Sequence, residues 1–216
     1  MLEHNQGMNP PDFDYGFNLS DDKKCTNTDP LFTALRNIVD QETKNGMNTK
    51  ITIRSENAAD IDAITRLTEA AFRNEEHSSH TEQFIVNALR RDDQLPISLV
   101  AEGGETIVGH VAISPVTISL GASRWYGSGP ISVCHERQGQ GIGSMLMEAA
   151  LTELRSLGGQ GCVVLGDPGY YGRFGFKAHA GLVLPGVPHE YFQALSLGGE
   201  TPEGDVSYHE SFDATE

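Results

Sequence analysis

The chain is poor in basic residues and has no long apolar stretch. Its 216 residues include 15 Lys and Arg against 30 Asp and Glu, which gives a formal net charge of −15 at pH 7. Binding to DNA or RNA needs a basic surface that neutralises phosphate, so this charge argues against a nucleic-acid partner. No apolar run approaches the roughly 18 residues of a membrane-spanning helix, and no membrane partner is expected.

Cysteine is scarce as well, and no secretory signal is visible. Cys25, Cys134 and Cys162 are odd in number and share no metal-ligand spacing, so we expect no metal site. Met1 to Gln6 lack the basic segment followed by an apolar segment that begins a secretory signal. These absences together predict a protein of the reducing cytoplasm.

The composition divides the chain near residue 46. Residues 1–46 hold 8 acidic against 4 basic residues and are mostly polar, which predicts a largely disordered N-terminal extension. Within it, an apolar face follows Pro30 and predicts a short helix over residues 30–44. This face consists of Leu31, Leu35, Ile38 and Val39. Residues 47–216 are predicted to form one folded domain.

Apolar periodicity in residues 47–216 predicts an α/β fold. Segments with helical spacing and segments with alternating spacing follow one another in the order β-α-α-β-β-β-α-β-α-β-β, which indicates a mixed, largely antiparallel sheet. Two local expectations can be checked against the structure. Pro115 should kink or bulge the long strand that contains it, and residues from His189 to Leu195 should form one or two helical turns.

Three glycines lie at a predicted strand-to-helix junction. Gly139, Gly141 and Gly143 follow the alternating strand Ile131-Ser132-Val133 and precede a helix that runs to about Leu157. Glycine can adopt positive φ and lets a ligand approach the backbone closely. The first N–H groups of a helix have no internal partner and lie at the positive end of its dipole. The junction is therefore predicted to bind phosphate.

The glycine spacing distinguishes between types of phosphate loop. A Walker loop needs a Lys after the last glycine, and none follows here; a Rossmann loop counted from Gly139 would need glycine where Ser144 stands. The pattern Q-x-x-G-x-G does fit, at Gln138, Gly141 and Gly143. In this position it resembles the acetyl-CoA pyrophosphate loop of the GNAT N-acetyltransferase superfamily.

Two further motifs extend the resemblance. The segment from Leu165 to Phe176 is similar to the L-G-D-P-x-Y-Y-x-R-F-G-F segment of a bacterial GNAT branch, and the segment from Gly109 to Val116 resembles the third strand of that branch. The three motifs occur in the family order and cover roughly residues 50–211. The resemblance implies a GNAT-like sheet of six to seven strands, mostly antiparallel and flanked by helices.

The same resemblance implies an activity and a set of site residues. Acetyl-CoA would be the cosubstrate, without a metal, and the acetyl group would pass directly to a primary amine of a small molecule or peptide. Tyr171 would protonate the departing CoA thiolate, and the strand Ile131-Ser132-Val133 would splay to receive the pantetheine arm. The pyrophosphate would bind Gln138, Gly139, Gln140, Gly141, Ile142, Gly143 and Ser144.

Several assignments stay open at the level of sequence. A non-catalytic acyl-CoA-binding or sensor module is the alternative function, and a homodimer is a candidate assembly. Arg173 could bind phosphate or pair with a surface acid. The candidates for the general base lie in the loop between the first two helices and on the third strand, and they are Glu75, Glu76, His77, His80, Glu82, His110 and Ser114.

Overall fold

The computed structural model describes residues 50–75 and 78–216 of the chain. The predicted N-terminal extension over residues 1–46, with its short helix, lies outside the described residues, and so do Glu76 and His77. None of the helices within the described ranges is both long enough and apolar enough to cross a bilayer.

The described residues form eight strands and four α-helices. The strands are β1 (Ile51–Ser55), β2 (Ile97–Gly103), β3 (Thr106–Ile118), β4 (Trp125–Val133), β5 (Gly161–Leu165), β6 (Leu182–Val183), β7 (Phe192–Ser196) and β8 (Gly204–Tyr208). The helices are α1 (Ile61–Phe72), α2 (Glu82–Arg91), α3 (Ile142–Ser156) and α4 (Pro168–Tyr171).

The strands join into one mixed sheet in the order β1-β2-β3-β4-β5-β7. Strand β8 pairs with both β3 and the two-residue β6. The pairs β4–β5 and β6–β8 are parallel, and the other strand pairs are antiparallel. This architecture confirms the predicted mixed and mostly antiparallel sheet flanked by helices, with eight strands where six to seven were expected because the two-residue β6 has too short a sequence signal.

Helices cover both faces of the sheet because successive strand residues point to opposite sides. On β3, Val111 packs into a core cluster with Leu146 of α3. The next residue, Ala112, packs with Ile64 of α1 and Val86 of α2. The sheet therefore has an α3 face and an α1–α2 face, and a side chain on β3 or β4 reaches one or the other according to its register.

The register shifts in the central strands lie away from Pro115: one is between β2 and β3 at Ala101 and Glu102, and the other is between β3 and β4. Val111 pairs with Ile131, whereas Ile113 pairs with Ser128, so three steps along β4 match two along β3. This is a bulge in β4. Pro115 stays paired with Tyr126. Proline lacks the N–H that a strand donates to its neighbour. On the other edge of β3, pairing with β2 ends at Ile113 and pairing with β8 begins at Val116, so no strand there requires a hydrogen bond from Pro115.

The helix expected from His189 to Leu195 is wrong. Only His189–Tyr191 form a 3-10 turn, and Phe192–Ser196 form strand β7. Strand β7 pairs antiparallel with all five residues of β5 and buries Phe192 and Ala194. The segment is too short for its apolar spacing to distinguish a helix from a strand, and pairing with β5 decides in favour of the strand.

Candidate functional site

Strands β4 and β5 separate after a short contact and leave a gap in the sheet. They pair only from Trp125 to Gly127 on β4, against Gly161 to Val163 on β5. Beyond Gly127, β4 continues with β3 while β5 continues with β7. Because β4 and β5 run parallel, the gap opens at their carboxyl ends, which is the usual place for a ligand in a sheet of this kind.

A cleft of about 390 Å³ lies beside this gap. This volume is within the range of roughly 300–1,000 Å³ that small-molecule sites occupy. The cleft lies between the end of β4, the glycine loop and α4. Its lining residues are Ile131, Val133, Arg137, Gln138, Gly139, Gly141, Ile142, Gly143, Ser144, Tyr170 and Arg173.

The glycine loop presents free backbone donors to the cleft. Gly139 and Gly141 have φ of 72° and 82°, which glycine adopts without strain. No hydrogen bond to an acceptor within the described residues is made by the backbone N–H groups of residues 139–144. The loop leads into the 15-residue helix α3, whose first turn contains no acidic residue. The site is therefore suited to an anion.

Most of the residues predicted to hold the cofactor line this cleft, but the side chains of Ser132 and Gln140 are turned away. Ser132 is fully buried on the α1–α2 face and donates from its hydroxyl to Oγ1 of Thr68 at 3.2 Å. The Gln140 amide donates to the backbone oxygen of Glu136 at 3.1 Å. A role of these two residues toward a ligand in the cleft would therefore use their backbone groups.

The two neighbouring tyrosines of α4 occupy different places. Tyr170 lines the cleft, and a methyl group at Gly143 would lie 2.7 Å from its hydroxyl oxygen, so this hydroxyl stands over the start of α3. Tyr171 lies behind it, with the ring centroids 5.0 Å apart, and is only 8% exposed. Its ring lies against Gly166, just after the end of β5. Tyr171 is therefore near the gap rather than in the lining of the cleft.

Two cationic side chains in the cleft were not among the predicted cofactor residues. Arg173 lies 4.4 Å above the ring of Tyr170 and donates to the backbone oxygen of that residue at 3.1 Å. Among the described residues no carboxylate forms an ion pair with Arg173. Arg137 also lines the cleft. At the level of sequence, Arg173 stayed open between phosphate and a surface acid, and Arg137 was not considered, although its position next to the glycine loop was the available signal.

The candidates for the general base are scattered. Glu75 and His80 are exposed, and Nδ1 of His80 lies 3.0 Å from the backbone oxygen of Phe72. Glu82 is buried, and its Oε1 accepts hydrogen bonds from Ser78 and Ser79. No three His, Cys, Asp or Glu side chains within residues 50–75 and 78–216 gather as a metal-binding group.

His110 is held at the buried end of a partly buried chain of hydrogen bonds. Arg90 donates to both carboxylate oxygens of Glu56, at 2.6 and 2.8 Å, and the hydroxyl of Ser98 donates to the same carboxylate at 2.5 Å. Nε2 of His110 lies 2.8 Å from the Ser98 hydroxyl. Because that hydroxyl has already given its proton to Glu56, Nε2 must be the donor, which leaves Nδ1 unprotonated. Nδ1 is buried and has no partner within the described residues.

His110 should make the protein less stable in acid. Burial lowers the pKa of His110 to about 4, against a rise caused by Glu56 and a further lowering by Arg90. In the unfolded chain this imidazole takes up a proton near pH 6.5, whereas in the folded chain it stays neutral down to about pH 4. The free energy of unfolding therefore decreases as the pH falls from about 6.5 to 4. The loss is on the order of 3 kcal/mol. Thermal denaturation of His110→Gln across this range should show a flatter pH dependence than the wild type.

A matched variant tests whether this effect belongs to His110. His189 is exposed, so His189→Gln should retain the pH dependence of the wild type. If His110→Gln and the wild type lose thermal stability in parallel between pH 6.5 and 4, other groups control the acid sensitivity and His110 does not.

Comparison with known proteins identifies the family. A family model described as an acetyltransferase (GNAT) domain matches residues 52–178, which is more than half of the chain. The chain belongs to the GNAT acetyltransferase family. This finding confirms the family that the three sequence motifs predicted. The matched span includes the whole glycine loop and α4 of this GNAT acetyltransferase.

Relatives of known structure agree with the fold of this GNAT acetyltransferase. The uncharacterized N-acetyltransferase YhbS of Escherichia coli K12 is 35% identical over 168 residues, covering 74% of this chain and 97% of YhbS. The structure of E. coli YhbS in complex with CoA has a TM-score of 0.69 and 34% identity, covering 76% of this chain and 93% of that chain. The structure of a GNAT family acetyltransferase from Brucella melitensis in complex with acetyl-CoA has a TM-score of 0.69 and 46% identity. The match covers 77% of this chain and 100% of that chain.

Proposed function

We propose that this protein transfers the acetyl group of acetyl-CoA directly to a primary amine. The observation that carries the proposal is the convergence of an anion-binding glycine loop and the β4–β5 gap on one cleft. The loop offers donors for a diphosphate, and the gap offers unpaired backbone groups of β4 to an extended chain such as pantetheine. The acetyl-CoA and CoA complexes of the two structural relatives support the same ligand.

The cleft residues fit the pyrophosphate end of acetyl-CoA. The N–H groups of residues 139–144 have no acceptor within the described residues, and methyl groups on Gly139 and Gly141 would meet nothing within 4 Å, so the loop has room for a ligand. Arg137 and Arg173 add positive charge, and an arginine can bind phosphate through two parallel hydrogen bonds. The loop N–H groups and the two arginines would bind and orient acetyl-CoA, which supplies the acetyl group for transfer.

The end of β4 fits the pantetheine arm, and the thioester would lie deeper along the same edge, toward Gly127. Ile131 and Val133 line the cleft with their side chains, while their backbone groups lie on the edge that β5 does not pair. A backbone N–H on this edge would donate to the thioester carbonyl oxygen and stabilise the negative charge that amine attack places there. Tyr171 would act as the general acid for the departing sulfur.

Direct transfer is favoured because the described cysteines are poor nucleophiles. The thiolate is the reactive form of cysteine. Burial raises the pKa of the Cys162 thiol to about 12, and burial together with Glu136 raises the pKa of Cys134. Neither thiol lines the cleft. A covalent acetyl-cysteine on these residues is therefore unfavourable, and the amine would attack the thioester itself.

The amine acceptor is supported by unpaired acceptor atoms on α2. Oε2 of Glu82 and Oε1 of Gln83 are buried and lack a hydrogen-bond donor within the described residues. Both lie in the first turn of α2, which covers the sheet face opposite α3. An amine supplies the donors that such oxygens need. Small-molecule amines and peptide amines both satisfy this chemistry.

Turnover with a panel of amines tests the proposal. The wild type should release CoA from acetyl-CoA when supplied with at least one member of a panel of polyamines, amino acids, aminoglycosides and peptides, and mass spectrometry should find the acetylated amine. Labelled acetyl-CoA incubated without an amine should leave no label on the protein. Tight acetyl-CoA binding without turnover of any amine would favour a non-catalytic acyl-CoA-binding module, and labelled protein would contradict direct transfer.

A further inference from the structure

The hydroxyl of Tyr208, at the end of β8, is buried without a hydrogen-bond partner among the described residues. The oxygen of Tyr208 is inaccessible to solvent and forms no hydrogen bond with any described residue. The ring is held from one side by Phe212, with the centroids 4.5 Å apart. A buried hydroxyl without a partner destabilises a folded protein, so such a group calls for a functional or structural explanation.

The hydroxyl end of Tyr208 lies on Gly127. A methyl group at Gly127 would overlap Cε1 of Tyr208 and lie 3.0 Å from Cζ, the ring carbon that bears the hydroxyl. Tyr208 belongs to β8, where it pairs with Val116 of β3. The side chain therefore crosses from β8 toward β4, and the absence of a side chain at Gly127 gives it room.

Gly127 marks the point where the sheet opens. It is the last residue of β4 that pairs with β5, through Val163. The hydroxyl of Tyr208 consequently stands at the inner end of the β4–β5 gap, on the face opposite α3. Tyr171 lies on the other face of the sheet, the α3 face. It is also near the gap, because its ring packs against Gly166 just beyond β5.

The electrostatic surroundings of Tyr208 agree with this placement. Burial raises the pKa of Tyr208, and negative charge on Cys162 or Tyr171 would raise it further. Both of these residues belong to the core cluster on the α3 face. The raised pKa means that the hydroxyl keeps its proton and acts as a neutral donor or acceptor.

We propose that the hydroxyl of Tyr208 donates a hydrogen bond to the carbonyl oxygen of the acetyl thioester at the inner end of the β4–β5 gap. This inference rests on the proposed function. The proton stays on Tyr208 throughout: the hydrogen bond strengthens as the carbonyl oxygen gains negative charge and weakens when the carbonyl reforms. A donor in this place assists the reaction because it is already oriented and shielded from water.

The Tyr208→Phe variant tests the inference because it removes only the hydroxyl. We expect kcat with acetyl-CoA and a competent amine to fall about tenfold. We also expect a loss of acetyl-CoA affinity, measured by calorimetry, but unchanged affinity for S-ethyl-CoA, a thioether that has no carbonyl oxygen. The melting temperature of the free variant should be equal to or higher than that of the wild type, since an unpaired buried polar group has been removed.

The exposed Tyr191 supplies the control. Tyr191→Phe should behave as the wild type in all three measurements. The inference is overturned if Tyr208→Phe binds acetyl-CoA and S-ethyl-CoA with wild-type affinities, which would leave the hydroxyl with a water molecule only. Equal weakening for both ligands, or a large fall in melting temperature, would show a structural role and also overturn it. Because the two affinities are measured without an amine, they decide the inference even if the wild type turns over no amine and the proposed function fails.

Discussion

Tyr171→Phe is expected to lower kcat by roughly tenfold to a thousandfold while the affinity for acetyl-CoA stays unchanged. The variant keeps the ring that packs between Gly166 and Phe176 and removes only the hydroxyl. Stopped-time assays of CoA release at saturating acetyl-CoA give kcat, and calorimetry gives the affinity.

The environment of Tyr171 defines how the hydroxyl can act. Burial raises the pKa of Tyr171, with smaller contributions from Tyr170 and Cys162, so the phenol is protonated at any physiological pH. A thiol such as that of CoA titrates near a cysteine-like value of about 8.5. Complete proton transfer from the phenol to the thiolate is therefore uphill, and most of the benefit comes from a hydrogen bond that stabilises the sulfur as it acquires charge. The proton that the sulfur finally carries comes, in net terms, from the attacking amine, and Tyr171 ends the reaction protonated.

Tyr170→Phe is the matched control. Its hydroxyl stands over Gly143 at the start of α3, so its loss should weaken acetyl-CoA binding and leave kcat at saturation nearly unchanged. If Tyr171→Phe retains kcat within a factor of two and Tyr170→Phe loses it, the general acid is Tyr170. If both retain kcat, water or another side chain protonates the sulfur.

Gly141→Val should reduce the affinity for acetyl-CoA by about a hundredfold. Gly141 has φ of 82° and precedes the first residue of α3. A valine disfavours this backbone conformation, and its side chain would project into the open space over the loop where the diphosphate is proposed to lie. Losing one or two hydrogen bonds to a charged ligand, at about 1.5–3 kcal/mol each, accounts for a change of this size. Isothermal calorimetry with acetyl-CoA measures it.

Gly121→Val separates backbone strain from ligand contact. Gly121 has φ of 86° and is likewise surrounded by open space, but it lies between β3 and β4 outside the cleft. Both variants should lose a similar amount of thermal stability, and only Gly141→Val should lose affinity. Wild-type affinity in Gly141→Val would place the diphosphate elsewhere.

The sequence predicted those parts of the site whose structure is determined by residues close together in the chain. Glycine spacing before a helical apolar repeat was enough to predict the loop from Gly139 to Gly143, because both the turn and the helix are formed within that stretch. The strand β4 and the short helix α4 were predictable for the same reason, from alternation and from Asp167-Pro168.

The features that were missed depend on pairing between distant segments. Strand β7 exists because β5 offers it a partner, and the bulge of β4 depends on its register against β3. The approach of Tyr208 to Gly127 joins the end of the domain to its centre, and neither residue carries a local signal of this contact. The positions of Tyr170 in the cleft and of Tyr171 behind it follow from the way α4 packs, which two adjacent tyrosines in a sequence do not distinguish.

The short contact between β4 and β5 also affects how the protein handles exposed strand edges. From Ser128 onward β4 has no strand partner on its β5 side, and an edge of this kind can recruit a strand from another molecule. Here the edge faces β5 of the same chain, and the space between β4 and β5 narrows toward Gly127. A strand from another molecule that paired along β4 would therefore collide with β5. A slender ligand enters where a second polypeptide does not. The same opening that admits a cosubstrate thus protects the protein from edge-to-edge association.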